Sequence, residues 1–200
     1  MKLLPIVAPI AALVAALPMA GAVQLEIGFP VLERMLANQL FTQEGRRYVK
    51  GTRNDKCSFA YLANPRISGS GGKLAVHARF TGRSAIDLLG QCIGLGDDFE
   101  LTIFAAPYWK DGKLAIKDVS VDSHGRDGIY IRRVRAALAS TLERDFRYPL
   151  EGEAKKILEE PRVDGWFRQE LSGFQIPQVE VTGEAVVFSL EFRLKVKVAK

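Results

Sequence analysis

Alternation of apolar and polar residues with a period of two dominates this chain, and it gives way in places to a spacing of three and four. The clearest period-two stretch sets Leu74, Val76, Ala78 and Phe80 on one face against Lys73, His77, Arg79 and Thr81 on the other. That is the pattern of a half-buried strand. Phe99, Leu101 and Ile103 line a further strand, which Pro107 is expected to close. Lys110-Asp111-Gly112-Lys113 reads as a hairpin turn with Asp-Gly at its centre, and Leu114 to Val121 as the returning strand. Upstream, the period becomes two from Arg46 onward: Cys57, Phe59 and Tyr61 alternate in a stretch expected to end at Asn64-Pro65, before a flexible turn over Ser68–Gly72. Ser84 to Leu89 reads as a short helical turn, and Gly94-Leu95-Gly96 as a bend. The longest alternation runs from Ala185 to Val198. There Val186, Phe188, Leu190, Phe192, Leu194, Val196 and Val198 face one way, and Ser189, Glu191, Arg193, Lys195 and Lys197 face the other.

Helical spacing appears first from Phe29 to Phe41, where Phe29, Leu32, Met35, Leu36 and Leu40 recur and Pro30 suits a first turn. It returns in Ile131, Val134, Leu138, Leu142 and Phe146, with arginines and Glu143 on the opposite face. Glu153–Glu160 and Val163–Leu171 read as shorter helices separated by Pro161. At about 3.3 Å per residue the last strand is roughly 45 Å long. A long sheet with one apolar face must bury it, and here only the helices are available to cover it. The economical arrangement is an α+β half-tube: a long curved antiparallel sheet wrapped around the amphipathic helix at 131–146. Such a wrap leaves an elongated apolar groove wherever the helix does not fill it.

The first residues change the count of what folds. Met1-Lys2, an apolar run from Leu3 to Leu17 and the small residues Ala20-Gly21-Ala22 form the three parts of a secretory signal. The expectation is cleavage after Ala22, leaving residues 23–200 as a single α+β domain in the periplasm. The apolar run is shorter than the roughly 20 residues a membrane-spanning helix needs, and no later segment lacks charges for that length. No Cys lies near the cleavage region, so an N-terminal lipid anchor is not expected. The net charge of +5 is spread along the chain, whereas nucleic-acid binding calls for a clustered basic stripe. The only cysteines, Cys57 and Cys92, are most simply a disulfide in an oxidising compartment, with buried free thiols as the alternative. Two cysteines and two histidines make a poor metal site. No cofactor is expected.

Catalytic constellations are weak. The serines near Gly69 do not fit a nucleophile elbow. Asp122-Ser123-His124 are adjacent in a loop, whereas triad members converge through the fold, so His124 reads as an exposed loop histidine and a hydrolase using Ser123 or His124 is the weakest reading. His77 lies on a polar strand face, where solvation is the plain reading. Asp97-Asp98 and Glu159-Glu160 read as solvated turns or helix ends. Two features carry binding. The first is the apolar surface of the long strands and the helix, with groove candidates Leu74, Val76, Phe80, Phe99, Leu101, Ile103, Val134, Leu138, Phe188, Leu190 and Phe192; the bland alternative for each is plain core. The second is Arg126, Arg132, Arg133 and Arg135 at the start of the long helix, either a solvated face or a receiver of an anionic headgroup.

The signal, the short amphipathic helix, the segment LANPRISGSGGKLAVHARFTG, the hairpin FELTIFAAPYWKDGKLAIKDVSV and the helix after it resemble the small bacterial periplasmic relatives of the tubular lipid-binding (TULIP, BPI-like) proteins. The resemblance covers Leu25 to Leu150 and implies a bent sheet around a helix, with an apolar groove that often holds lipid. It implies no catalytic residues. Many such relatives carry a lipid anchor, and this chain departs from them by lacking the anchoring Cys. The expected function is therefore non-catalytic carriage or sensing of a lipid or other hydrophobic ligand at the cell envelope. The alternative is a structural adaptor with a fully packed core that binds another envelope protein.

Overall fold

The computed structural model describes residues 23–160 and 165–198. The expected secretory signal and the cleavage expected after Ala22 fall outside the described residues. The chain is α+β and mostly antiparallel sheet, curled into a half-barrel, with three helices among the described residues. Its elements in order are β1 (Val23–Gly28), α1 (Phe29–Gln39), β2 (Arg46–Lys50), β3 (Ser58–Ser70), β4 (Lys73–Leu88) and β5 (Gln91–Lys110). Then follow β6 (Lys113–Asp122), α2 (Ile129–Asp145), β7 (Arg147–Tyr148), α3 (Leu150–Glu159), β8 (Phe167–Val181) and β9 (Ala185–Val198). Strands β2 to β7 form one six-stranded sheet in chain order, and β1-β9-β8 form a second.

The spine is the β4–β5 hairpin, paired without a break from Leu74 opposite Ala105 to Leu88 opposite Gln91. This corrects two local expectations. Ser84 to Leu89 is not a helical turn, because cross-strand pairing with 91–95 overrides its weak local preference. The bend expected at Gly94-Leu95-Gly96 is continuous strand. The glycine at 94 is needed for another reason: a Cβ there would stand 2.5 Å from Ala85 Cα, so the paired strands approach too closely for any side chain. The hairpin turns instead at Leu89-Gly90, with φ of 54° and 81°, and Asp87 Oδ1 accepts the Gly90 N–H at 2.8 Å. Asp111-Gly112 does form a two-residue turn, with both φ positive.

Two prolines do not end their strands. At Asn64-Pro65 the β3 register shifts between Ala63 and Arg66, and Asn64 takes φ 54°, so the pair makes a bulge. Past the bulge β2 no longer flanks β3, and Glu33 of α1 accepts the Ile67 N–H at 2.8 Å. Pro107 sits where β5 has run beyond β4 and pairs only with β6, so its missing N–H has one ladder fewer to serve. A further correction concerns the expected helix at Val163–Leu171. Residues 163 and 164 lie outside the described residues, and from Phe167 the chain is β8. Its alternation is masked by register shifts on either side of Gln175 and by Gly173 at φ 62°.

The core falls into two clusters. One joins Phe80, Phe99, Leu101, Ile103 and Val121 of the six-stranded sheet to Ile131 and Leu138 of α2 and to Phe41. The other joins Phe29 of α1 to Leu171, Phe174, Ile176, Val186 and Phe188 of the three-stranded sheet. The sheets meet where Trp109 stands edge-on to Phe174 at 5.5 Å.

Cys57 and Cys92 are bonded. The bridge ties the residue before β3 to the β5 side of the hairpin tip, 35 positions on. Replacing both cysteines by serine is expected to lower the unfolding free energy by about 3 to 4 kcal/mol, the chain-entropy value for a loop of that length. Urea unfolding of the double variant checks it, and an unchanged midpoint contradicts it.

Candidate binding face at the β4–β5 hairpin

Direct cross-strand partners share a face of the sheet. The face that α2 covers is therefore the one carrying Val76–Ile103, Ala78–Leu101 and Phe80–Phe99, and the same register carries it outward through Ser84–Leu95, Ile86–Ile93 and Leu88–Gln91. Burial changes abruptly along this single apolar stripe. Phe80, Phe99 and Leu101 are at most 4% exposed, whereas Ile86, Ile93 and Leu95 are 68%, 54% and 64% exposed. Leu89 at the tip is almost wholly exposed. The change comes where α2 begins. Its first-turn Tyr130 packs on the core cluster, and a Cβ on Gly82 would stand 3.2 Å from the Tyr130 hydroxyl. Nothing among the described residues covers the stripe beyond that layer.

Charge is concentrated at the boundary. Arg126 Nη2 donates to both oxygens of Asp97 at 2.7 Å, and its guanidinium lies 5.7 Å from the Phe99 ring centre. Asp97 follows Leu95 and precedes Phe99 on the stripe, so this ion pair marks the line between closed core and open face. Burial, with the Asp97 charge adding to it, pushes the Tyr130 phenol above its ordinary range. On the opposite face of the hairpin, Arg79 Nε donates to Asp98 at 2.6 Å and the Thr81 hydroxyl donates to it at 2.8 Å.

The groove candidates separate into two groups. Val76, Phe80, Phe99, Leu101, Ile103, Val134 and Leu138 belong to the α2 cluster. Leu74, Phe188 and Leu190 belong to the other, and Phe192 is exposed beside Phe174, 6.4 Å between ring centres. Among the arginines, Arg126 reaches the boundary. Arg132 pairs with Asp127 at 3.0 Å, and Arg135 Nε donates to the Val121 carbonyl at 2.6 Å. Both line a shallow cleft of about 340 Å³ between β6 and α2. Arg133 makes no ion pair among the described residues.

Sequence reasoning missed the residues that make the open face: Ile86 and Leu88 fell in a segment read as a helical turn, Leu95 in one read as a bend, and Ile93 between the two. Their period of two was present, but the glycines at 90, 94 and 96 obscured it. It also missed that both histidines meet at one buried hydroxyl. His77 Nδ1 lies 2.8 Å and His124 Nε2 3.0 Å from Thr102 Oγ1, and Ser68 Oγ lies 3.0 Å from His77 Nε2. The group behind His77 is thus a threonine hydroxyl and not a carboxylate, and Asp122 Oδ1 accepts from the His124 backbone N–H.

Burial pushes Asp98 up, but the hydrogen bonds from Arg79 and Thr81 and the charges of Arg79 and Arg126 outweigh it and hold the carboxyl below its usual range. A depressed folded-state value stabilises the fold above the unfolded value of about 3.9, and that contribution is lost as pH falls through the folded value. Asp98→Asn is therefore expected to be less stable than the parent at neutral pH and equal to it in strong acid. Urea midpoints at the two pH values check this, and a pH-independent difference contradicts it.

Compared with known proteins, the chain matches no family model, no curated protein and no solved structure.

Proposed function

We propose that this is an exported, non-catalytic protein of the bacterial periplasm that binds a lipid or similar hydrophobic ligand. The observation that carries the reading is the apolar stripe of β4 and β5, closed under α2 as far as Phe80 and Phe99 and open at Ile86, Leu88, Ile93 and Leu95. The wrapped sheet of a half-tube fits this stripe, with α2 filling one stretch and a ligand the next. Each methylene of an acyl chain laid on such a face gains up to about 0.8 kcal/mol, in proportion to the area it removes from water. An anionic headgroup would sit at the boundary and compete with Asp97 for the Arg126 guanidinium, whose forked donors suit phosphate or carboxylate oxygens. The hairpin tip is fastened by the Cys57–Cys92 bond, so the face is presented on a held element.

The adaptor reading has one observation of its own. Among the described residues, β1 pairs with β9 from Ala185 to Leu190, and from Glu191 to Val198 β8 alone flanks it. An unpaired edge of that kind accepts a partner strand.

The two readings separate on ligand uptake. A fluorescent fatty acid titrated into the protein is expected to bind the parent and the Lys50→Ala variant equally. It should bind Ile93→Asp about tenfold or more weakly, equivalent to about 1.4 kcal/mol. Equal uptake by Ile93→Asp and the parent, with both folded by circular dichroism, sinks the assignment of the face.

A further inference from the structure

Among the described residues, β8 is the only strand beside β9 past Leu190, and their pairing continues to Phe167 opposite Val198. A two-stranded ribbon is marginally stable in water by itself. This one is also sharply two-faced. Register places Phe167, Gln169 and Leu171 with Val198, Val196 and Leu194 on one face, and Arg168, Glu170 and Ser172 with Lys197, Lys195 and Arg193 on the other. Leu171 is covered, its N–H donating to Glu159 of α3 at 2.7 Å. Along β9 the cover is lost by degrees: Phe192, Leu194, Val196 and Val198 are 37%, 40%, 59% and 72% exposed. Trp166, edge-on to Phe167, is exposed at the end of the ribbon. The polar face carries four basic residues and two acids, Glu170 and Glu191, and Lys197 takes Glu170 at 2.6 Å. Arg168, Arg193 and Lys195 have no acidic partner among the described residues.

An apolar face backed by a cationic face, with tryptophan at its end, is the composition of an element that lies in a membrane interface. Pairing the open β9 edge with that of a second copy would bring its cations together, and like charges across a ladder are destabilising. An anionic lipid surface removes that conflict, since each Lys or Arg near it is attracted. We propose that the β8–β9 ribbon is the protein's contact with an anionic phospholipid bilayer. Val196, Val198 and Trp166 enter the boundary between headgroups and acyl chains, and Arg168, Arg193 and Lys195 meet lipid phosphates. With its apolar face some 5–10 Å into that boundary, the ribbon lies among the headgroups, within reach of long basic side chains. This contact is separate from the hairpin face of β4 and β5, and does not depend on what that face binds.

The test is co-sedimentation of the chain with vesicles of phosphatidylcholine alone and of phosphatidylcholine mixed with phosphatidylglycerol. Three variants are compared: Val196→Asp, the pair Arg193→Gln with Lys195→Gln, and Asn54→Asp, in the exposed turn before β3, as a control outside both faces. All share residues 1–22, so any contribution of that segment is common to them, and thermal melts establish that each is folded. The parent and Asn54→Asp should bind the anionic vesicles in preference to the neutral ones. The double glutamine variant should bind roughly 30-fold more weakly, at about 1 kcal/mol for each removed charge, and Val196→Asp should lose binding. Equal binding to both vesicle types, no binding to either, or full binding by Val196→Asp would each overturn the proposal. If the parent binds no vesicles but forms dimers that Val196→Asp abolishes, the ribbon belongs to a protein interface instead. Loss of vesicle binding in the ribbon variants with fatty-acid uptake intact separates this contact from the ligand face.

Discussion

The uninterrupted pairing of β4 with β5 sets the position of nearly everything else in the molecule. Because register alternates faces strictly, a one-residue slip of β5 against β4 would move Phe99 and Leu101 away from Phe80 to the solvent side and bring Glu100 under α2. The pairing is therefore specified by the core it creates. It is also longer than that core. The strands keep the same face for three further cross-strand pairs beyond Gly82–Asp97, past the point where α2 has begun and where none of the described residues covers them. Open apolar surface at the tip follows directly from a strand pair longer than the helix packed on it.

The protein spends several stabilising contacts on keeping that extension in place. The disulfide holds its tip from the β3 side. Asp98 joins Arg79 and Thr81 across its outer face, and Asp97 joins it to Arg126 just ahead of α2. Asp87 closes its turn. At the other end of β5, Trp109 meets Phe174 and carries the second sheet, whose own ribbon again runs past its cover. The molecule thus has a closed centre between two strand pairs that each expose one apolar face. Their chemistry differs, since the β8–β9 ribbon is backed by unpaired cations, whereas the β4–β5 hairpin has its charge gathered at the boundary with the core.

Much of this was legible in the residues. The alternation of 74–80 and 99–103, the Asp111-Gly112 turn, the α2 stripe, the start of α1 at Pro30 and the cysteine pair all follow from local rules, because local preference and tertiary role agree there. The misreadings came where they disagree. Pro65 and Pro107 stay in strands because a bulge and a missing neighbour remove the demand on the absent N–H. The strand at 167–181 is hidden by two register shifts, and β1 was not anticipated since its burial comes only from pairing with β9. The candidate site suffered most. Its residues stand in a glycine-rich stretch whose strand character exists only through pairing, so no window of the sequence displays it.

The most direct measurement is native mass spectrometry of the protein purified without detergent, followed by organic extraction of whatever it carries. A stoichiometric hydrophobic mass that leaves on denaturation, and that is missing from the Ile93→Asp variant, is the expected result. A clean ligand-free mass, with no uptake when lipids are offered, would contradict it and leave the uncovered stripe of β4 and β5 as a surface for another protein.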